Sequence, residues 1–246
     1  MPSSNSKTQS RGIALPSNLR ERVSTHFRAK RDVVLRNTLW RAARGRDTLR
    51  ILDLGGRPDY WRRVGYRFLE IIGAQIVLLN VREAEIAIED EDAPEGMFRW
   101  EVGDARALDY PDYTFDLCHS NSVIEHVGLW EDMASFAAET RRVAPSYYVQ
   151  TPNFWFPVEP HFYAFPMNHW LPRPLRAKLM MAMNLATAGR ADNIGHAHQM
   201  VDSARLLTAA QMQFLFPEAD PHYMQARLLA KSLLAIYVSG ETRPAY

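Results

Sequence analysis

Thr48-Leu-Arg-Ile-Leu-Asp53-Leu-Gly55-Gly56-Arg57-Pro58 is the stretch on which the fold turns. A short apolar run that enters a paired-glycine turn and carries one carboxylate reads as a β-strand ending at a ligand. In an open parallel α/β sheet, ligands bind beyond the carboxyl ends of the strands, where Gly55 and Gly56 let the backbone come close with no Cβ in the way. Two further stations lie downstream. A second apolar strand, Ala74-Gln-Ile-Val-Leu-Leu-Asn80, ends in a polar side chain, and a third unit, Trp100-Glu-Val-Gly-Asp104-Ala105-Arg106, ends in a Gly-Asp pair.

Working outward, the chain alternates strand and helix. The pattern predicts strands at 49–54, 75–80, 97–102, 114–120 and 146–151. Helices are expected around Tyr60–Ile72 and Leu129–Val143, with a short helix or loop at 81–95. Such alternation argues for βαβ units and a parallel sheet. Before it, residues 1–16 are Ser-rich and broken by Pro2 and Pro16, and are expected to be disordered. A helical arm follows from Ser17, with apolar residues mostly three or four apart from Leu19 to Trp40. After the fifth strand, residues 152–174 hold six prolines among Phe154, Trp155, Phe156, Phe162, Tyr163, Phe165 and Trp170. Prolines at that density block regular helix and hold aromatic rings as walls. Helix is expected again at Leu175–Leu185 and Ser203–Phe214, with a loop at Ala186–His198 between them. A last strand is expected within Ala226–Val238, after a hairpin partner at 222–229. The expectation is one domain over 17–246: an arm at 17–46, a binding core at 47–151, an insertion at 152–202, and a final helix and strands at 203–246.

Composition bounds the function. Nearly half of the 246 residues are apolar, enough for a substantial core, and the single Cys118 excludes an internal disulfide or a Cys-based zinc cage. No apolar run approaches the roughly 18 residues that cross a bilayer, and the first ten residues lack a secretory hydrophobic segment. A cytoplasmic location is therefore expected, with no membrane span. The net charge of +1 hides an asymmetry: residues 1–50 carry 12 Lys or Arg against 3 Asp or Glu, and the remainder 17 against 25. The basic arm has only Phe27 and Trp40 as aromatics, so it lacks the stacking platform of single-strand binders, which argues against a nucleic-acid partner.

The three stations, followed by Tyr113-Thr-Phe-Asp-Leu-Cys-His-Ser-Asn121-Ser-Val-Ile-Glu125-His126-Val127, resemble the class I, Rossmann-like S-adenosylmethionine-dependent methyltransferases, in their small-molecule, methyltransferase type 11-like branch. The resemblance runs from about residue 45 to residue 155. It implies an α/β fold with a seven-strand, mostly parallel sheet flanked by helices, S-adenosylmethionine as cofactor, and a small-molecule acceptor. Asp53, Gly55 and Gly56 would then lie at the amino-acid portion of the cofactor, Asn80 at the ribose, Asp104 and Ala105 at the adenine, and Asn121 beside the reacting end. This chain departs from the family's pattern twice. Its turn has no third glycine, and Asn80 stands where the family carries an acidic residue, with Glu83 as a possible substitute. The same two features disfavour a dinucleotide-binding reading, which wants Gly-x-Gly-x-x-Gly and an acid.

Methyl transfer to a hydroxyl needs alignment and removal of one proton, and histidine suits that task because its ordinary pKa lies near neutrality. His126 and His161 are the candidate bases, with Glu159 placed to orient the latter. No metal is expected: Glu125 with His126 gives too few ligands, and His196-Ala-His198 has no further Cys or His at ligand spacing. Two other functions remain open, a non-catalytic scaffold with a degraded cofactor turn and a nucleic-acid-modifying protein that uses the basic arm.

Overall fold

The computed structural model describes residues 17–82, 90–159, 161–162, 165–184, 189–224 and 230–240. The expected tail at 1–16 and residues 83–89 of the segment at 81–95, Glu83 among them, lie outside the described residues. The chain falls into two compact units, one of His26–Phe156 with Ser203–Tyr246, the other of Pro157–Asp202 with the amino-terminal residues to Thr25.

The larger unit is built on a sheet in the order β3-β2-β1-β4-β5-β6, from β1 (Leu49–Leu54), β2 (Ala74–Asn80), β3 (Phe98–Val102), β4 (Leu117–Asn121), β5 (Tyr147–Pro152) and β6 (Ser232–Tyr237). The first five strands run parallel and β6 is antiparallel to β5. This is the expected α/β, Rossmann-like arrangement, mostly parallel, with six strands among the described residues and not seven. The expected hairpin partner at 222–229 lies only in part among the described residues. Its first residues lie in a short helix, α8 (Pro221–Met224), and residues 225–229 lie outside the described set. Proline at the first helical position presets the backbone for that turn of helix.

Side chains alternate across the strands. On one face Leu52, Leu54, Cys118 and Val149 pack with Met133 and Phe136 of α4 (Trp130–Val143) and with Met212 and Leu215 of α7 (Ala209–Leu215). On the other, Leu49, Ile51, Leu117 and Tyr148 pack with Leu35 and Leu39 of α1 (Ser17–Ala42) and with Trp61 of α2 (Pro58–Val64). Leu35 and Leu39 are fully buried, and burial of this kind contributes about 2 kcal/mol per side chain. Together with the Arg63–Asp32 ion pair they fasten the basic arm from Arg28 onward to the sheet.

Several boundaries move for local reasons. The helix expected at Tyr60–Ile72 is two, α2 and α3 (Tyr66–Ile71), broken at Gly65, whose φ of 108° no helix contains. β4 starts at Leu117 because Tyr113 turns the chain at φ 55°. The helix expected from Ser203 starts at Ala209, where Thr208 Oγ1 accepts from the Gln211 amide and Gln211 Oε1 accepts from the Thr208 amide. In the smaller unit α5 (Arg173–Ala182) and α6 (Ile194–Asp202) pack through Ala177, Met180, Ala197, Met200 and Val201. The expected loop at Ala186–His198 is thus helical from Ile194. His196 and His198 ride on that helix because Ala197, Met200 and Val201 give it a buried stripe. No helix among the described residues is long and apolar enough to cross a membrane.

Candidate functional site

The strand order reverses between β1 and β4, and two cavities lie at the carboxyl ends of the strands there. Ligands in open α/β sheets sit at such a switch point. The larger cavity, about 780 Å³, is lined by Gly55, Asn80, Asp104, Ala105 and His126 among polar and small groups, with Leu79, Val81, Val102, Val123 and Val127 as apolar walls. The smaller, about 310 Å³, is lined by Asp53, Gly55, Gly56, Arg57, Asp59, Tyr60, Arg63, His119 and Asn121. Eight of the nine expected site residues therefore line one cavity or the other, and Gly55 lines both. The ninth, His161, lies in the smaller unit, where its backbone amide and its Nδ1 both meet Glu159 Oε1.

The turn after β1 is shaped by packing more than the sequence suggests. Gly55 has φ +72°, and a Cβ there would stand 2.5 Å from a Val123 methyl. At Gly56 a Cβ would stand 1.9 Å from Asp53 Oδ2. Both glycines are therefore required by this chain's own side chains, whether or not a ligand approaches. Gly55 N–H donates to Leu79 O at 2.8 Å, which ties the turn to β2.

Asp53 is 1% exposed, with both oxygens engaged. Trp61 Nε1–H donates to Oδ2 at 2.6 Å, and His119 Nδ1 lies 2.6 Å from Oδ1. His119 Nε2 meets the Tyr60 hydroxyl at 3.3 Å. Burial pushes the Tyr60 phenol well above its ordinary pKa, and neighbouring Tyr148 and Asp53 add to that, so the hydroxyl keeps its proton as a donor. Sequence reasoning missed His119. The signal was available in the strand pairing, because parallel register sets Asp53 opposite His119 and His119 opposite Tyr148, on one face.

On the other side, Asn80 is buried and its Nδ2 donates to Gly56 O at 3.0 Å. Its Oδ1 makes no hydrogen bond among the described residues and is left as an acceptor. Asp104 holds Arg106 through both oxygens, at 3.0 and 2.7 Å, and Arg106 Nη1 reaches Asp132 at 2.8 Å. Hydrogen bonds from Arg106 hold the Asp104 carboxyl below its ordinary pKa. Ser122, on the lip of the larger cavity, takes a left-handed φ of 60°, which costs about 1 kcal/mol in a non-glycine residue. It is held there by its amide on Gln150 O and its hydroxyl on Gln150 Oε1. His126 Nδ1 donates to Ser203 O at 2.6 Å, so in the neutral ring Nε2 carries the lone pair.

Residues 59–146 match the family model described as a methyltransferase domain. With the strand order above, this segment is similar to methyltransferase domains, and S-adenosylmethionine is the cofactor that the similarity implies. Solved structures similar to the chain include an S-adenosylmethionine-dependent methyltransferase from Mesorhizobium loti, 22% identical over 46% of this chain and 50% of that one, TM-score 0.37. Another is a protein from Pyrococcus horikoshii OT3, 24% identical over 44% and 50%, TM-score 0.35. A methyltransferase from Methanosarcina mazei is 16% identical over 78% and 94%, TM-score 0.48. The chain spans about half the length of the first two. No curated protein matches it.

The residues present fit the implied cofactor. The larger cavity falls within the roughly 300–1,000 Å³ of small-molecule sites, and it sets apolar walls beside an amide oxygen that accepts from none of the described residues. Asn80, Asp104 and Ala105 would hold the nucleoside, and Gly55, Gly56 and Asn121 the amino-acid portion.

Proposed function

We propose that this protein is an S-adenosylmethionine-dependent methyltransferase that methylates a hydroxyl group of a small molecule such as a sugar, glycan precursor or secondary metabolite. The larger cavity at the switch point carries the reading. When bound, the cofactor supplies an electrophilic methyl carbon. Asn80 Oδ1 accepts from a ribose hydroxyl while its Nδ2 stays on Gly56 O. A single uncharged acceptor makes this contact weaker than the charged one of an acidic residue.

A hydroxyl acceptor has to lose its proton as it attacks, and His126 is the base we assign, because it lines the same cavity and its ring is oriented by the Nδ1 bond to Ser203 O. His161, whose Nδ1 meets buried Glu159, is the other candidate base. A flat or sugar-like acceptor is supported by the exposed aromatic face of Trp155 in the larger unit. The test is incubation of the purified chain with methyl-labelled cofactor and a panel of hydroxylated compounds. Label on an oxygen supports the reading; label on nitrogen or sulfur alone would reject the hydroxyl.

One observation favours a second reading, a chain that keeps the fold without using the cofactor: both Asp53 oxygens are taken by internal donors. Absence of S-adenosylhomocysteine binding would select it.

A further inference from the structure

We propose that His119 is a positioning residue for the cofactor turn: through its Nδ1–H it fixes Asp53, and through Asp53 the Gly55–Gly56 backbone against Asn80. The inference rests on the cofactor reading above and adds to it a residue that the turn's own sequence does not contain.

The geometry gives each proton a direction. The pair on Nδ1 leaves the His119 proton facing the Asp53 carboxylate, and the Tyr60 hydroxyl, held protonated, donates to the lone pair of Nε2. Imidazole is the side chain that can donate at one edge and accept at the other within one rigid ring. The ring cannot swing. It stacks on Tyr148 at 5.5 Å and 15°, and is flanked by Trp61 at 4.9 Å and Tyr60 at 5.1 Å. Asp53 is thereby pinned by two donors at 2.6 Å, one on each oxygen.

What Asp53 then does follows from Gly56. The carboxylate fills the space that a Cβ on Gly56 would need, so its position sets where the turn can lie. The turn in turn presents Gly56 O to Asn80 Nδ2, which leaves the Asn80 oxygen as the acceptor in the larger cavity. One line of contacts thus runs from Tyr60 through His119, Asp53 and Gly56 to Asn80, joining the smaller cavity to the larger. A turn with no third glycine is held in shape by side chains behind it.

The test is calorimetric titration of S-adenosylhomocysteine into the full chain and two variants, with nitrogen NMR of isotope-labelled histidines. His119→Leu keeps much of the ring's volume and removes the donor; affinity is expected to fall about tenfold, the cost of leaving a buried carboxylate oxygen without its partner. His119→Asn returns a donor near the Nδ1 position and is expected to stay within about threefold of the original affinity. A role in packing alone would make both variants fail together. The NMR measurement is expected to find His119 protonated at Nδ1 and bare at Nε2, and the opposite tautomer would overturn the proposal even if His119→Leu does not fold. Unchanged affinity in a folded His119→Leu protein would overturn it while the cofactor reading stands. Failure of the unmodified chain to bind would remove both.

Discussion

The two sides of the strand-end cavity are built on opposite plans. At β1 the turn is backed by a closed set of side chains, with Trp61 and His119 on Asp53, Tyr60 on His119, and Gly56 against the carboxylate. At β2 and β3 the walls are apolar beside Asn80 and Asp104, and Asn80 contributes an oxygen that no described residue uses. The first side holds shape and the second offers chemistry. The departures from the family pattern, a missing third glycine and an amide in place of an acid, are therefore of different kinds. One is offset from behind by an aromatic and histidine support, and the other stands at the cavity as the weaker ligand we propose.

This contrast predicts its own failures, from large to small. Asp53→Ala strikes the closed side and leaves the buried donors of Trp61 and His119 without an acceptor. The expected loss is roughly 2–4 kcal/mol of stability, read by denaturant unfolding, with S-adenosylhomocysteine affinity down about a hundredfold or more. A variant that unfolds like the original protein would show that the support is not closed. Gly56→Ala should come next. The added methyl forces Asp53 aside, at a cost of about 1–3 kcal/mol, and calorimetry should find binding weakened in step with stability.

Asn80→Asp tests the open side with the sharper sign. It installs the family's acidic residue, yet it sets a carboxylate against Gly56 O where an amide donor stood. Affinity is expected to fall by about tenfold, not rise. A gain would mean that the amide bond to the turn matters less than the ribose contact. The smallest effect belongs to Arg106→Ala, which releases Asp104. Affinity should change by about twofold. The Asp104 carboxyl should titrate nearer the ordinary ~3.9 in a pH series followed by NMR. Because Arg106 depresses that pKa in the folded state, the pair stabilises at pH above the unfolded value, and the contribution disappears as pH falls through the folded value. With the Asp104 side chain 42% exposed, solvent screening keeps this contribution small.

Much of this was legible in the amino-acid order. The ends of β1, β2 and β5 and the helix α4 stand within a residue of expectation because apolar runs bounded by turns carry them, and the cavity-lining stations fall at those strand ends. His119 was not legible in the same way. A histidine inside Leu117-Cys118-His119-Ser120 reads as one more core residue until parallel register sets it opposite Asp53. The helix α6 was hidden by Asn193 and Gly195, which look like a loop, while its buried stripe of Ala197, Met200 and Val201 is short. Gly56 was read as room for a ligand, whereas the structure gives that room to Asp53. In each case the missing information was tertiary: which side chain from another element fills the space.

The central claim is that this turn, without its third glycine, still forms a cofactor site. Calorimetric titration of S-adenosylhomocysteine into the purified chain tests it most directly. One-to-one binding at about micromolar affinity, near −8 kcal/mol, is expected. No heat of binding, with the fold intact by circular dichroism, would contradict it and leave the protein as a methyltransferase fold put to another use.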